Sequence, residues 1–290
     1  MTSPFSSFVL RTRTRRPSAM AILVLAAAFV ALSVSPAQGA VAAKENRPGK
    51  PKPTIVLVHG AWADGSSWTA VIERLQHEGY TVAAIPNNLR SLSGDAANVR
   101  AFLQTVTGPI VLVGHSYGGA VITNAATGLP NVKALVYVNA FAPDEGESPL
   151  ALAGPDSALS ADPATVFTFV PATLPPTPTT DLYLKRTTVF TSFADGLTAA
   201  DKALVAATQR PAAFGGLAET SGVPAWRTIP SWSLVGTKDK IIPYAVQLGM
   251  AKKAHATITE YNAGHLGLMS DPRTVSRFID QAAKAAVPAS

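Results

Sequence analysis

The chain has 290 residues, 47% hydrophobic and 14% charged, enough apolar material for one large core or two small ones. Its net charge of +6 is concentrated near the start: Arg11, Arg13, Arg15 and Arg16 lie in the acid-free stretch 1–43, and without them 20 basic residues face 18 acidic ones. No basic run is then left to track a phosphate backbone, which argues against a nucleic-acid partner. The absence of cysteine excludes disulfides, a thiol nucleophile and thiolate metal ligands.

Residues 1–42 read as a signal peptide. Its arginines form the charged start, Ala19–Val34 the apolar segment, and Ala37-Gln38-Gly39 and Ala40-Val41-Ala42 offer two cleavage tripeptides. The apolar segment is shorter than the ~20 residues a membrane span needs. The expectation is therefore export to the periplasm or medium, with no stable span after cleavage. Residues 43–53, charged and Pro-rich, read as a linker to a fold over 54–290.

From there strands and helices alternate. Thr54–Val58 is a strand, Ser67–Glu78 an amphipathic stretch and Tyr80–Ile85 a strand. Asp95–Thr105 is a helix with Asp95 as candidate cap. Pro109–Gly114 is a strand, Tyr117 to about Thr127 a small-residue helix, and Val132–Asn139 a strand. Strands that are apolar on every residue and separated by helices predict a parallel sheet covered on both faces. The rhythm breaks over 141–225, where prolines crowd and aromatic residues argue for an ordered, mainly helical cap. It resumes with strand Ser231–Val235, helix Pro243–Lys253, strand Thr257–Tyr261 and helix Pro272–Ala286. The predicted fold is α/β, with about six mostly parallel strands. The cap would lie over the C-terminal strand ends, where such sheets bind ligands.

The chemistry concentrates at strand ends. Gly114-His115-Ser116-Tyr117-Gly118 matches G-x-S-x-G between an apolar strand and a small-residue helix. That is the setting in which a tight turn exposes a nucleophilic serine at a helix N-terminus. Of five histidines, His265 is the best base, because the turn Asn262-Ala263-Gly264 after the last strand can carry an imidazole over the sheet. His77 and His255 read as surface residues, His115 as packing beside the turn, and His59 as part of the first loop. The imidazole needs a carboxylate to fix its tautomer. Asp239, after strand Ser231–Val235, completes the chain order Ser, Asp, His; Asp144, after the preceding strand, is its competitor. His59-Gly60-Ala61-Trp62 after the first strand is the candidate oxyanion loop. It would supply one N–H from Ala61 or Trp62, beside that of Tyr117.

Together HGAW, GHSYGG, GTKDKIIP and NAGH resemble the α/β-hydrolase superfamily across roughly residues 54–285. Trp68, Tyr137–Pro143 and Trp226–Thr228 are similar to the branch holding plant methylesterases, hydroxynitrile lyases and their small bacterial relatives. That resemblance implies a capped sheet with no metal or organic cofactor. The lyases of the branch carry Thr after the loop histidine and Lys after the catalytic one. Here those places hold Gly60 and Leu266, which argues for hydrolysis. The expected activity is cleavage of a small, fairly apolar carboxylic ester by a Ser116–His265–Asp239 triad through an acyl-enzyme. Lactone or amide hydrolysis, cofactor-free lyase or perhydrolase chemistry, and a non-enzymatic ligand sensor are the alternatives.

Overall fold

The computed structural model describes residues 52–287; the predicted leader and most of the linker lie outside them. β1 (Thr54–Val58), β3 (Ile110–Ser116) and β4 (Val132–Ala140) are buried along almost their whole lengths. Strands apolar on both faces need cover on both faces. With β2 (Val82–Ile85), β8 (Ser231–Gly236) and β9 (Thr257–Tyr261) they form one six-stranded sheet, in the order β2-β1-β3-β4-β8-β9. Every pairing in it is parallel. α1 (Thr69–His77) packs with α11 (Pro272–Ala286), and α2 (Leu92–Thr105) with α3 (Tyr117–Ala125). The strand order runs outward in both directions from β1 and β3. Their C-terminal ends therefore flank the switch point where open α/β sheets place ligands.

Local chemistry accounts for the element ends. α11 starts on Asp271, whose carboxylate accepts the Thr274 N–H at 3.1 Å, with Pro272 in the first turn. Its buried residues Val275, Phe278, Ile279, Ala282 and Ala283 recur at helical spacing and give the chain's last apolar stripe. α2 begins at Leu92, earlier than predicted, because Ser91 is its cap: the Ser91 hydroxyl accepts the Gly94 N–H at 3.2 Å. Asp95 turns inward instead. Its Oδ1 takes the N–H groups of Asn88 and Leu89 at 3.0 and 3.1 Å, and its Oδ2 takes the Tyr117 hydroxyl at 2.9 Å. The second strand starts at Val82 rather than Tyr80, because the Tyr80 N–H is used to close α1 on the Leu75 carbonyl.

Between β4 and β8 lies the cap. It holds the short helices α4 (Pro149–Leu152), α5 (Pro163–Val166), α6 (Arg186–Thr188), α7 (Ala199–Thr208) and α8 (Phe214–Ala218). It also holds an antiparallel sheet of β5 (Phe167–Val170), β6 (Asp181–Leu184) and β7 (Ala212–Ala213), which the sequence reading did not anticipate. Its strands are too short and too far apart in sequence to leave a period-two signature. α9 (Tyr244–Lys253) and α10 (Gly267–Ser270) complete the described chain, and no helix in it is long and apolar enough to cross a membrane.

Candidate active site

β3 delivers Ser116 directly into α3 through a single residue at φ +52°, ψ −124°. A non-glycine residue is held there only when its surroundings over-determine it, and the packing around this turn is close. A Cβ on Gly118 would sit 2.4 Å from the Val58 carbonyl oxygen, and one on Gly60 would sit 2.7 Å from the Ser116 Cβ. The glycines therefore let the β1 loop and the β3–α3 turn approach each other to within contact.

The turn after β9 brings His265 to this serine. Its Nε2 lies 2.9 Å from the Ser116 Oγ and its Nδ1 2.9 Å from the Asp239 Oδ2. An ionised carboxylate only accepts, so Nδ1 carries the proton and donates to Asp239. Nε2 is then bare and accepts the serine hydroxyl. His265 is fully buried and Ser116 is 2% exposed.

Asp239 sits at the end of β8 in a socket made only of donors. Its Oδ1 accepts the N–H groups of Ile241 and Ile242 at 2.8 and 3.0 Å. Its Oδ2 accepts the Asn139 and Gln247 side-chain amides, each at 3.0 Å, beside His265. Five donors offset the desolvation of a carboxylate whose side chain is wholly buried. Asn139 is itself held by the Tyr261 hydroxyl, which donates to its Oδ1. The competing Asp144 is not part of this assembly. It lies at the surface, where its Oδ1 accepts from Arg227 at 2.6 Å.

Two further buried histidines brace the site. The His115 Nε2 lies 2.9 Å from the His265 carbonyl oxygen, to which it donates, so the residue anchors the His265 main chain as well as packing. Its Nδ1 has no partner. Burial, then the neighbouring His265, hold its pKa well below the ordinary 6.5, so it stays neutral. The His59 Nε2 accepts the Asn87 N–H at 2.9 Å, and the Asn87 amide donates to the His59 carbonyl at 2.8 Å. This two-way clasp fixes the start of the 59–62 loop, and burial lowers the His59 pKa too. Trp62, at φ +58°, donates its indole N–H to the Leu182 carbonyl of β6 at 2.8 Å. The main-chain N–H groups of Ala61, Trp62 and Tyr117 donate to no protein acceptor among the described residues. His77 and His255 are exposed, as expected. No group of three or more His, Asp or Glu residues is placed to hold a metal ion among the described residues.

Sequence reasoning passed over Gln247 and Asn87, and it saw Asn139 only within a longer resemblance. An amide in a helix, loop or strand carries no local mark of the carboxylate or carbonyl it will meet, whether 8 residues away as for Gln247, 28 as for Asn87 or 100 as for Asn139.

The alpha/beta hydrolase family model matches residues 55–278. The chain belongs to this family. Over 111 residues it is 36% identical to the carbendazim hydrolyzing esterase of Nocardioides sp. (strain SG-4G), a match spanning 34% of this chain and 46%, less than half, of that esterase. It is 27% identical over 259 residues to alpha/beta hydrolase nvfD of Aspergillus novofumigatus (strain IBT 16806), covering 81% of this chain and 98% of that one. Among solved structures, polyneuridine aldehyde esterase superposes with a TM-score of 0.68 at 18% identity, over 79% of this chain and 98% of that one. At that identity the likeness speaks for the fold.

Proposed function

We propose that the chain is a serine hydrolase that cleaves carboxylic esters through an acyl-enzyme. The observation that carries this reading is the unbroken relay from the Ser116 hydroxyl through His265 to Asp239, with both links at 2.9 Å. Ser116 Oγ attacks the ester carbonyl carbon while its proton passes to His265 Nε2. Asp239 holds the imidazole in the right tautomer and stabilises its charged form. The oxyanion rests against the Tyr117 N–H and one from Ala61 or Trp62, groups that the protein leaves without an acceptor. His265 returns the proton to the departing alcohol. Water, deprotonated by the same imidazole, then cleaves the acyl-serine to the free acid. The esterase named among the relatives supports ester hydrolysis. Lactone and amide cleavage would use the same groups.

A fluorophosphonate probe tests this. It is expected to label Ser116 alone, and hydrolysis of a short-chain chromogenic ester is expected to disappear with the label in Ser116→Ala. Removing the base in His265→Ala should lower kcat by several orders of magnitude. Labelling or turnover that persists in Ser116→Ala overturns the proposal.

A further inference from the structure

Tyr117 carries the proposed oxyanion N–H on its main chain and a buried polar contact at the far end of its side chain. It opens α3 directly after Ser116, and its hydroxyl donates to the Asp95 Oδ2 at 2.9 Å. The Asp95 Oδ1 accepts the N–H groups of Asn88 and Leu89 at 3.0 and 3.1 Å. Asp95 is 1% exposed, and both its oxygens therefore meet donors inside the protein. Leu89 stands at φ +60°, a left-handed conformation that a non-glycine residue keeps only when its neighbours over-determine it. Its carbonyl accepts the Ala213 N–H of β7 at 2.8 Å. The next residue, Arg90, pairs with Asp181 of β6 and donates to the Pro211 carbonyl at 2.7 Å. One carboxylate thus holds both the residue beside the nucleophile and the turn to which the cap is tied.

We propose that Asp95 is a positioning residue for ester hydrolysis: through the Tyr117 hydroxyl it fixes the peptide group whose N–H meets the oxyanion. This rests on the serine-esterase reading and adds a residue to that same site. A donor stabilises the oxyanion fully only if it is already aimed before the charge develops. Tyr117 is the one residue that can be anchored by a side chain at the start of α3, because Gly118 and Gly119 follow it. Those glycines are pressed against the main chain of β1 and the chain leaving β4, but they hold nothing by a side chain of their own. The Tyr117 side chain leaves from the same Cα as the N–H. Tying its far end keeps that Cα from tilting and holds the first turn of the helix on Ser116. The hydroxyl remains a donor: burial first, then the Asp95 charge, push its pKa well above the ordinary 10. α8 of the cap covers the contact, since a Cβ on Gly216 would lie 3.4 Å from that hydroxyl.

Three variants test this with p-nitrophenyl acetate as substrate and 1,1,1-trifluorobutan-2-one as inhibitor. Ser116 Oγ adds to the ketone carbon and its proton passes to His265 Nε2, leaving an oxyanion where that of the reaction stands. Losing a whole oxyanion donor costs about 10²–10³ in kcat, so a donor loosened but not lost should cost about tenfold. Tyr117→Phe keeps the ring against the cavity at Ser116 and removes only the tie. It is expected to lower kcat about tenfold with KM unchanged, and to raise the inhibitor Ki by the same factor. Asp95→Ala should reproduce both changes and add little in the double variant, since the two remove one link. Asp95→Asn should restore most of the loss. Its amide oxygen can take the two main-chain N–H groups and its NH₂ the tyrosine hydroxyl, which accepts as well as donates. Melting curves establish which variants are folded, and Tyr117→Phe decides the matter if Asp95→Ala is not. A Ki unmoved in folded Tyr117→Phe, or additive losses in the double variant, overturns the positioning role and leaves the esterase reading intact. Absence of turnover and of fluorophosphonate labelling in the wild type overturns the esterase reading and the role with it.

Discussion

At the scale of single residues, Asp239 shows how little freedom the site allows. All five of its partners donate, so only an acceptor with two oxygens satisfies the socket. Asp239→Asn must turn an NH₂ against either two main-chain N–H groups or two side-chain amides and the imidazole. It also loses the carboxylate that sets the tautomer of His265, which in serine proteases costs on the order of 10⁴ in turnover. Asp144→Asn weakens an exposed ion pair with Arg227 and leaves an amide oxygen that can still accept the Glu145 N–H, a surface change of small weight, and is expected to keep most of the activity. Steady-state kinetics on both variants, with melting curves to show that each is folded, separates them. An inactive Asp144→Asn beside an active Asp239→Asn would displace the acid from β8 to the cap entrance. The sequence narrowed the acid to these two positions by chain order. What separates them is which strand end faces the imidazole, a long-range relation.

At the scale of elements, the glycines around the turn after β3 are set by distance to other main chain. A Cβ on Gly119 would lie 2.2 Å from the Phe141 carbonyl oxygen. That oxygen belongs to the chain leaving β4 and cannot step aside as a flexible side chain would. Gly119→Ala should therefore lower stability by at least ~1–3 kcal/mol, as overpacking does, and disturb the serine with it. Gly249 is the counterpart. It lies in the exposed face of α9 with nothing within 4 Å of its Cβ position. Gly249→Ala should raise stability by about 0.5–1 kcal/mol, because alanine loses less backbone entropy on entering a helix. Urea denaturation of both variants checks the opposite signs, and a neutral Gly119→Ala would contradict the close packing described. The G-x-S-x-G spacing marked Gly114 and Gly118 in advance. The contact that constrains Gly119 involves β4, which no local motif contains.

At the scale of the whole molecule, the buried histidines tie stability to pH. The pKa values of both His59 and His115 are held below 6.5 by burial. Below that value the unfolded chain binds protons that the folded chain refuses, so stability falls as pH falls. Asp95 works the other way: burial raises its pKa, so its contribution is greatest in acid and lost as pH rises. In the window from about pH 7 to about pH 5 the two histidines are expected to dominate, since that is where their unfolded forms titrate. The denaturation midpoint should drop across the window, and the drop should shrink in His115→Gln, whose amide can still donate toward the His265 carbonyl. A midpoint that holds constant to about pH 5 would contradict this.

What the sequence determined by itself was whatever neighbours along the chain decide. All-apolar strands between amphipathic helices dictated a parallel sheet covered on both faces. The glycines beside Ser116 dictated a tight turn at a strand end, and Gly264 next to His265 a histidine on a returning loop. Each follows from steric and hydrophobic rules acting over a few residues. The tertiary structure alone decided the rest. Asp239 rather than Asp144 meets the imidazole, and Asn139 and Gln247 brace that carboxylate. Asp95 serves Tyr117 instead of capping a helix, and Trp62 ties the first loop to the Leu182 carbonyl of a partly stranded cap. Most of these outcomes join residues distant in the chain, and a buried polar group is satisfied by whatever the closed fold brings within 3 Å of it. No window of sequence contains that information, because the partners come from elements whose meeting is settled only when the sheet and the cap pack together.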